Sequence, residues 1–167
     1  QLRLNSLNKT ALKVVSTHLG ADVGEDGPTH HCIDYLGILF NLPDFEIYIP
    51  ADPNQTDHII RCIAKRSGNI FVGMGRSKIP IITKENGTPY FDENYQFIPG
   101  KADWIRIGNK GVIITYGTMS HYALSAWEIL KSKGIEVALL NIASIKPFPE
   151  KDLLKASEFK NILVVED

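Results

Sequence analysis

One stretch of the chain, residues 17–31, gathers most of the side chains that could carry out chemistry. It contains His18, Asp26 and His30, and it is rich in glycine. An imidazole can exchange protons near neutral pH, and a carboxylate can accept a hydrogen bond from a substrate hydroxyl. The glycines and one proline constrain the backbone, so the stretch could hold these side chains in fixed positions.

Three interpretations of this stretch are open from the residues alone. A metal site could use His18, His30 and a carboxylate, although their spacing matches no compact ligand motif. The stretch could be a polar loop whose imidazoles only satisfy backbone groups. It could also bind a substrate or cofactor, with His for proton transfer and Asp for a hydroxyl.

The elements around the stretch predict where it lies. Residues 12–16 form a short apolar segment, 45–49 alternate in hydrophobicity, 54–66 show helical periodicity, and 69–74 are apolar again. This order predicts a βαβ unit with a parallel sheet. Residues 17–31 and Arg76 then both follow strands at the carboxyl edge of the sheet, where α/β proteins bind ligands.

The second half repeats the alternation of strands and helices. The predicted strands and helices are residues 111–116, 120–133, 135–142, 149–157 and 161–166. The sequence therefore predicts an α/β fold with two parallel-sheet units, residues 1–80 and 110–167. Between them, residues 76–110 are crowded with turn signals, which predict an ordered linker with a hairpin near Asn86–Gly87 and no helix.

Composition excludes several classes of protein. The chain has 167 residues, of which 44% are apolar, and its net charge is −1. This composition argues against global disorder and against a field that attracts nucleic acid or an anionic membrane. No apolar run approaches the roughly 20 residues of a membrane span, and no signal peptide is visible. Two cysteines favour a reducing, cytoplasmic location over a disulfide framework.

The pattern T-H-x5-G-E-D-G-P-T-H, from Thr17 to His30, resembles the signature loop of transketolases, which depend on thiamine diphosphate. His31 stands where that family commonly has Gln. The related 1-deoxyxylulose-5-phosphate synthases usually have Ala in place of Glu25 and Arg near position 18, so both positions favour transketolase. The β subunits of 2-oxoacid dehydrogenases share the architecture but lack this loop.

Weaker similarities follow in the family's order along the chain. They are Pro50–Asp52, Arg76, Gly117–Thr118, Ile145–Pro147 and Val164–Asp167. The resemblance implies an incomplete pyrimidine-binding domain at 1–80, a linker at 81–109 and an incomplete C-terminal domain at 110–167.

The resemblance also implies a reaction and roles for four residues. The family transfers a two-carbon ketol unit from a ketose phosphate to an aldose phosphate, with thiamine diphosphate as the electron sink. Asp26 would select hydroxyl stereochemistry, His30 would bind or protonate oxygen at the reacting end, and His18 and Arg76 would hold the terminal phosphate. We expect the four to converge within about 10 Å, with Asp26 and Arg76 on different parts of one crevice. A surface ion pair is the alternative for Arg76.

Much of the implied machinery lies outside this stretch of sequence. In the family the glutamate that activates the cofactor precedes this region, and a separate N-terminal domain holds the Mg²⁺ and the diphosphate. We therefore assign no cofactor or metal ligand here, and we expect activity only with that domain or a second subunit, as a homo-oligomer or heterotetramer. The alternatives are a 1-deoxyxylulose-5-phosphate synthase-like enzyme and a non-catalytic partner subunit of the same fold.

Overall fold

Two four-stranded sheets flanked by helices make up the fold. The computed structural model describes residues 1–167. The first sheet has the order β1-β3-β2-β7, with β1 Lys13–Ser16, β2 Phe45–Tyr48, β3 Asn69–Gly73 and β7 Ser144–Lys146. The second has the order β4-β6-β5-β8, with β4 Asp103–Arg106, β5 Val112–Thr115, β6 Ala138–Asn141 and β8 Ile162–Val165. The helices are α1 Leu2–Asn8, α2 Tyr35–Phe40, α3 Pro53–Ala64, α4 Met119–Ser132 and α5 Glu150–Ala156.

The predicted α/β class with parallel pairing is confirmed, and each sheet carries one addition. Strands β1, β3 and β2 are parallel, as are β6, β5 and β8. Each sheet also has an antiparallel edge strand that the sequence analysis does not predict, β7 in the first and β4 in the second. Strand β4 lies inside residues 81–109, which were predicted as a linker, and β7 comes from the second half of the chain.

Helix α3 shows how the sequence fixes the elements. Asp52 caps its N-terminus by accepting a hydrogen bond from the Gln55 backbone N–H at 2.7 Å, and Pro53 takes the first helical position, where no N–H is needed. The sequence predicts a buried stripe of Ile59, Ile60 and Ile63, of which Ile59 and Ile63 are buried and Ile60 is half-buried. Asp52 also accepts from the Ile82 N–H at 2.8 Å, and burial raises the pKa of its carboxyl. The capping residue therefore also anchors the segment that follows β3.

The segment between β3 and β4 contains no helix, as predicted. Its predicted hairpin is present, because Lys84 N–H donates to Thr88 C=O at 2.8 Å and Tyr90 N–H donates to Ile82 C=O at 2.8 Å. Thr83 and Pro89 form an antiparallel bridge across the turn. The turn residues thus fold the segment back on itself against α3.

One hydrophobic core joins the two sheets. Phe45 and Ile47 of β2 pack in the same buried cluster as Val112 and Ile114 of β5 and Leu140 of β6. The Ile49 N–H also donates to the Ala143 C=O at 2.8 Å. The two units are therefore fixed to each other by burial of apolar surface, the main favourable contribution to folding. No helix is long and apolar enough to cross a membrane.

Candidate functional site

The candidate site lies where β1 and β3 end. These strands run parallel with Ser16 opposite Gly73, so the segments that follow them leave the same edge of the sheet. Hydrogen bonds continue past the strands, from Met74 N–H to Ser16 C=O at 3.0 Å and from Leu19 N–H to Met74 C=O at 3.1 Å. The loop after β1 and the residues after β3 are thereby held side by side, as the sequence analysis predicted.

The backbone of the loop is sharply turned around its functional residues. Residues Gly24–Asp26 form a 3-10 turn that Gly27 ends at a φ of 72°. His18 has a φ of 66°, in the left-handed region that costs an L-residue about 1–2 kcal/mol. Its imidazole Nδ1 lies 2.8 Å from Thr17 Oγ1. Left-handed non-glycine residues cluster at functional sites, where the surrounding structure holds them in place.

Three of the four predicted site residues form one charged cluster. The Asp26 carboxylate lies 3.5 Å from His18 Nε2 and pairs directly with Arg76 Nε. The second Arg76 nitrogen, Nη2, lies 3.3 Å from Glu25 Oε1. The Arg76 side chain is 36% exposed and that of Asp26 is 29% exposed, so solvent and small ligands reach both.

This contact corrects one expectation of the sequence analysis. Asp26 and Arg76 were placed on different parts of one crevice, but their side chains touch. Asp26 and Arg76 carry opposite charges and lie in segments that follow neighbouring strands. Opposite charges attract each other where protein partly excludes water. A ligand that binds either group must therefore compete with the other.

His30 stands apart from this cluster. Its Nδ1 lies 3.0 Å from Thr29 Oγ1, and its backbone N–H donates to Gly27 C=O at 3.1 Å. The residue is exposed, and it makes no hydrogen bond or ion pair with His18, Asp26 or Arg76. The structure thus brings three of the four residues into contact and leaves the fourth exposed and without contact to them.

Two further residues fasten the loop and were missed by the sequence analysis. The Asp167 carboxylate accepts hydrogen bonds from Ala21 N–H at 2.9 Å and Asp22 N–H at 3.0 Å. The Ser77 hydroxyl donates to Asp22 Oδ1 at 2.7 Å. The signal that could have revealed Asp167 was its position in the sequence. Asp167 follows β8 as the loop follows β1, and both strands end toward the crevice.

The crevice beside the cluster has an aromatic and a polar side. A narrow cleft between the two sheets is bordered by Tyr35, Tyr116 and Asp167, and the Tyr116 hydroxyl donates to Glu166 at 2.9 Å. Burial raises the pKa of the Tyr116 hydroxyl, which keeps it protonated as a donor. A cavity of about 290 Å³ adjoins it and is lined by residues of both units, including Asp52, Thr56, Met74, Ser77 and Thr118.

A larger cavity lies at the opposite end of the second sheet. Its volume is about 640 Å³, and it is lined by the first residues of β5 and β8, by residues that precede these strands and β6, and by Leu130 of α4. It contains no His, Asp, Glu or Cys, and its charged groups are two lysines. None of the four candidate site residues lines this larger cavity, whereas Met74 and Ser77, which lie on either side of Arg76 in the sequence, line the smaller one. No group of three or more His, Cys, Asp and Glu side chains in the chain could hold a metal ion.

Two family models match the chain. The first is described as "Transketolase, pyrimidine binding domain" and covers residues 1–80, and the second as "Transketolase, C-terminal domain" and covers residues 100–167. The chain belongs to the transketolase family. The second match begins ahead of β4, which belongs to the second sheet of this transketolase fold.

Similar proteins come from both microorganisms and mammals. A Methanocaldococcus jannaschii protein named as a transketolase C-terminal section is 34% identical over 95% of this chain and 48% of its own length. One of the subunits of apulose-4-phosphate transketolase from Actinobacillus succinogenes is 29% identical over 96% of this chain and 49% of its own. Human transketolase is 27% identical over 100% of this chain and 26% of its own. The chain thus spans about half the length of the first two.

Solved transketolase structures have the same fold. A split-gene transketolase, described as an inactive β4 tetramer, superposes with a TM-score of 0.81 at 25% identity, over 96% of this chain and 50% of the other. Transketolase from Campylobacter jejuni superposes with a TM-score of 0.78 at 19% identity, over 99% of this chain and 26% of the other. At that lower identity the likeness shows the fold alone.

A glycine comparison tests the fastening of the transketolase loop. Gly20 has a φ of 78°, and a Cβ there would collide with the Asp167 carboxylate, whereas a Cβ at Gly24, with a φ of 64°, would meet nothing within 4 Å. We expect Gly24→Ala to lose about 1–2 kcal/mol of unfolding free energy to backbone strain alone. Gly20→Ala is expected to lose roughly 1–3 kcal/mol more, because Asp167 must withdraw from its two N–H donors. Urea denaturation measures both variants, and equal losses would contradict the role of Asp167 in fastening the loop.

Proposed function

We propose that this chain forms the substrate-facing half of a transketolase, which transfers a two-carbon ketol unit from a ketose phosphate to an aldose phosphate. The observation that carries the proposal is the contact of His18, Asp26 and Arg76 at the carboxyl edge of a parallel sheet. A guanidinium suits a phosphate because it is planar and offers several donors. A carboxylate beside it suits a sugar hydroxyl, and the adjoining cavity of about 290 Å³ extends the site.

We assign each residue a role on the substrate. Arg76 and His18 would hold the terminal phosphate, since both present N–H groups at the open edge of the sheet. Asp26 would accept a hydrogen bond from the hydroxyl beside the reacting carbon. His30, which is exposed, would donate to oxygen at the reacting end or move a proton there.

Thiamine diphosphate and Mg²⁺ belong to another part of the enzyme in this proposal. When bound, thiamine diphosphate supplies an electron sink that makes cleavage of the carbon–carbon bond possible. In this proposal a separate domain holds Mg²⁺ and the diphosphate, as the family resemblance implies, and no residue of this chain is assigned as a ligand to either. The chain's own contribution is therefore to bind and orient the sugar phosphate.

Assembly with a cofactor-binding domain or a second chain follows from the same proposal. Two similar proteins bear names that point to divided enzymes, one a transketolase subunit and the other a split-gene transketolase described as an inactive β4 tetramer. By analogy we infer that this chain alone is inactive and works in a homo-oligomer or heterotetramer. Its two cysteines are free, which supports a reducing compartment such as the cytoplasm.

The decisive experiment assays the chain alone and then together with the cofactor-binding part of the enzyme. The substrates are xylulose 5-phosphate and ribose 5-phosphate, with thiamine diphosphate and Mg²⁺ present. We expect turnover only in the complete assembly. An assembled but inactive complex would instead identify the chain as a non-catalytic partner, and turnover of pyruvate as donor would identify a 1-deoxyxylulose-5-phosphate synthase-like enzyme.

Asp26→Ala tests the hydroxyl assignment in the assembled enzyme. We expect the ratio of kcat/KM between two donors that differ in one hydroxyl configuration to fall at least several-fold, because a site built around a hydroxyl rejects its misplacement. Both donors of such a pair carry the same phosphate, so the effect on Arg76 cancels in the ratio. The ratio should fall equally for phosphorylated and unphosphorylated pairs. An unchanged ratio would remove Asp26 from stereochemical selection.

A further inference from the structure

Glu25 differs from the other members of the charged cluster by having a single partner. Its side chain is 84% exposed, and its only polar contact is with Arg76 Nη2 at 3.3 Å. Asp26, in contrast, contacts both His18 and Arg76. Glu25 is therefore the carboxylate that a competing anion displaces more easily.

The side chain of Glu25 has no part in holding the loop together. The turn that contains it is closed by backbone groups, with Gly27 N–H donating to Gly24 C=O at 3.1 Å. The neighbouring fastenings use Ser77 and Asp167 on Asp22 and its backbone. Removing the carboxylate of Glu25 consequently leaves the loop's own hydrogen bonds intact.

The charges around Arg76 disfavour a phosphate as long as Glu25 stays. One guanidinium faces two carboxylates, so these three groups carry a net charge of −1. A sugar phosphate brings about −1.5 to −2 more. The phosphate and Glu25 therefore compete for the same nitrogen of Arg76, whereas an unphosphorylated sugar meets no such competition.

We propose that Glu25 is a specificity-determining residue: its carboxylate occupies Nη2 of Arg76 and must yield before a substrate phosphate binds there. Glu25 thereby lowers the affinity for phosphate. It also reduces the difference in affinity between phosphorylated and unphosphorylated sugars. The inference rests on the proposed phosphate-binding role of Arg76. It adds that Glu25 weakens the binding of phosphate to Arg76.

Glu25→Gln tests this inference directly on the full chain. The variant keeps the shape of the side chain and removes its charge. Titrations with inorganic phosphate, ribose 5-phosphate and ribose are followed by NMR through the backbone amide signals of residues 24–27. Glu158→Gln is the matched control, because Glu158 is exposed in the second unit and has no ion pair. It removes the same charge from the chain.

We expect Glu25→Gln to tighten the Kd for phosphate and ribose 5-phosphate by about twofold to fivefold, the range expected for one exposed, partly screened charge pair. Ribose binding and the Glu158→Gln control should match the wild-type chain. In an Arg76→Ala background the gain from Glu25→Gln should disappear.

The outcomes separate the inference from the function on which it rests. If Arg76→Ala weakens phosphate binding but Glu25→Gln leaves it unchanged, the role of Glu25 is overturned and that of Arg76 stands. If Glu158→Gln tightens binding as much as Glu25→Gln, the effect is one of net charge and the inference also fails. If Arg76→Ala leaves phosphate binding unchanged, the phosphate role of Arg76 is wrong and the inference falls with it.

Discussion

Arg76→Ala is expected to lower kcat/KM for phosphorylated donors about 10- to 100-fold in the assembled enzyme, and to leave unphosphorylated donors within about a factor of two. Hydrogen bonds to charged groups contribute about 1.5–3 kcal/mol each, and every 1.4 kcal/mol is tenfold. An unphosphorylated donor never forms this contact and so loses nothing when it is removed. Steady-state kinetics with donor pairs that differ only in the phosphate provide the measurement.

The structure adds a complication that the controls must handle. Arg76 pairs with Asp26 and Glu25, so alanine leaves two carboxylates without their cation. Arg76→Lys keeps the charge but loses the planar fork, and it should recover only part of the loss. Arg61→Ala removes an arginine from an exposed ion pair with Asp57 and should change neither donor. Equal losses on both donors for Arg76→Ala would show that the arginine has a structural role only.

The position of the charged cluster in the fold was predictable because two simple rules apply to it. Parallel strands end at the same edge of a sheet, so the segments after β1 and β3 had to meet. Glycines mark sharp turns, and these turns restrict where the ionisable residues between them can lie. What these rules could not give is which side chains touch, and the direct pairing of Asp26 with Arg76 was missed for that reason.

The antiparallel edge strands were not predictable from local sequence. Strand β7 has three residues and pairs with β2, about 100 positions earlier, while β4 follows a long run of turn residues. Neither has a hydrophobic alternation long enough to stand out. Helix α2, with six residues, was missed for the same reason. Their positions are set by the partners they pack against, and this information is non-local.

A buried polar network at the junction of the two units could not be predicted from the sequence either. The Asp103 carboxylate accepts hydrogen bonds from Gln55 Nε2 at 2.8 Å and from the Tyr95 hydroxyl at 3.1 Å. Asn141 Nδ2 also donates to Gln55 Oε1 at 3.2 Å. The network thus joins α3 of the first unit to β4 and β6 of the second. Burial raises the pKa of Asp103 to about 6.

This pKa predicts how stability changes with pH. Because the folded-state pKa lies above the ordinary value of 3.8, the native chain binds a proton more tightly than the unfolded chain. The contribution of Asp103 is fully present below about pH 4 and is lost as the pH rises through about 6. A rise in pKa from 3.8 to about 6 corresponds to about 3 kcal/mol. Above pH 7 the ionised carboxylate therefore costs the fold that much.

Asp103→Asn is expected to recover this cost, raising the unfolding free energy by up to about 3 kcal/mol at pH 7.5 and by little near pH 4. The amide oxygen can accept the same bonds from Gln55 and Tyr95. The amide nitrogen can reach water, because Asp103 borders a surface cavity of about 420 Å³. Urea denaturation between pH 4 and 8 measures the difference from the wild-type chain.

A control substitution at an exposed carboxylate tests whether the gain in unfolding free energy depends on burial. Asp57 lies on the surface of α3, and its hydrogen bond from Arg61 lowers its pKa, so Asp57→Asn should bring no gain at any pH. A gain for Asp103→Asn that grew between pH 4 and 7 and then levelled off would match titration of one buried group. A variant less stable than the wild-type chain at pH 7.5 would mean that the ionised carboxylate holds Gln55 and Tyr95 more strongly than burial disfavours it. The junction between the two units would then depend on that charge.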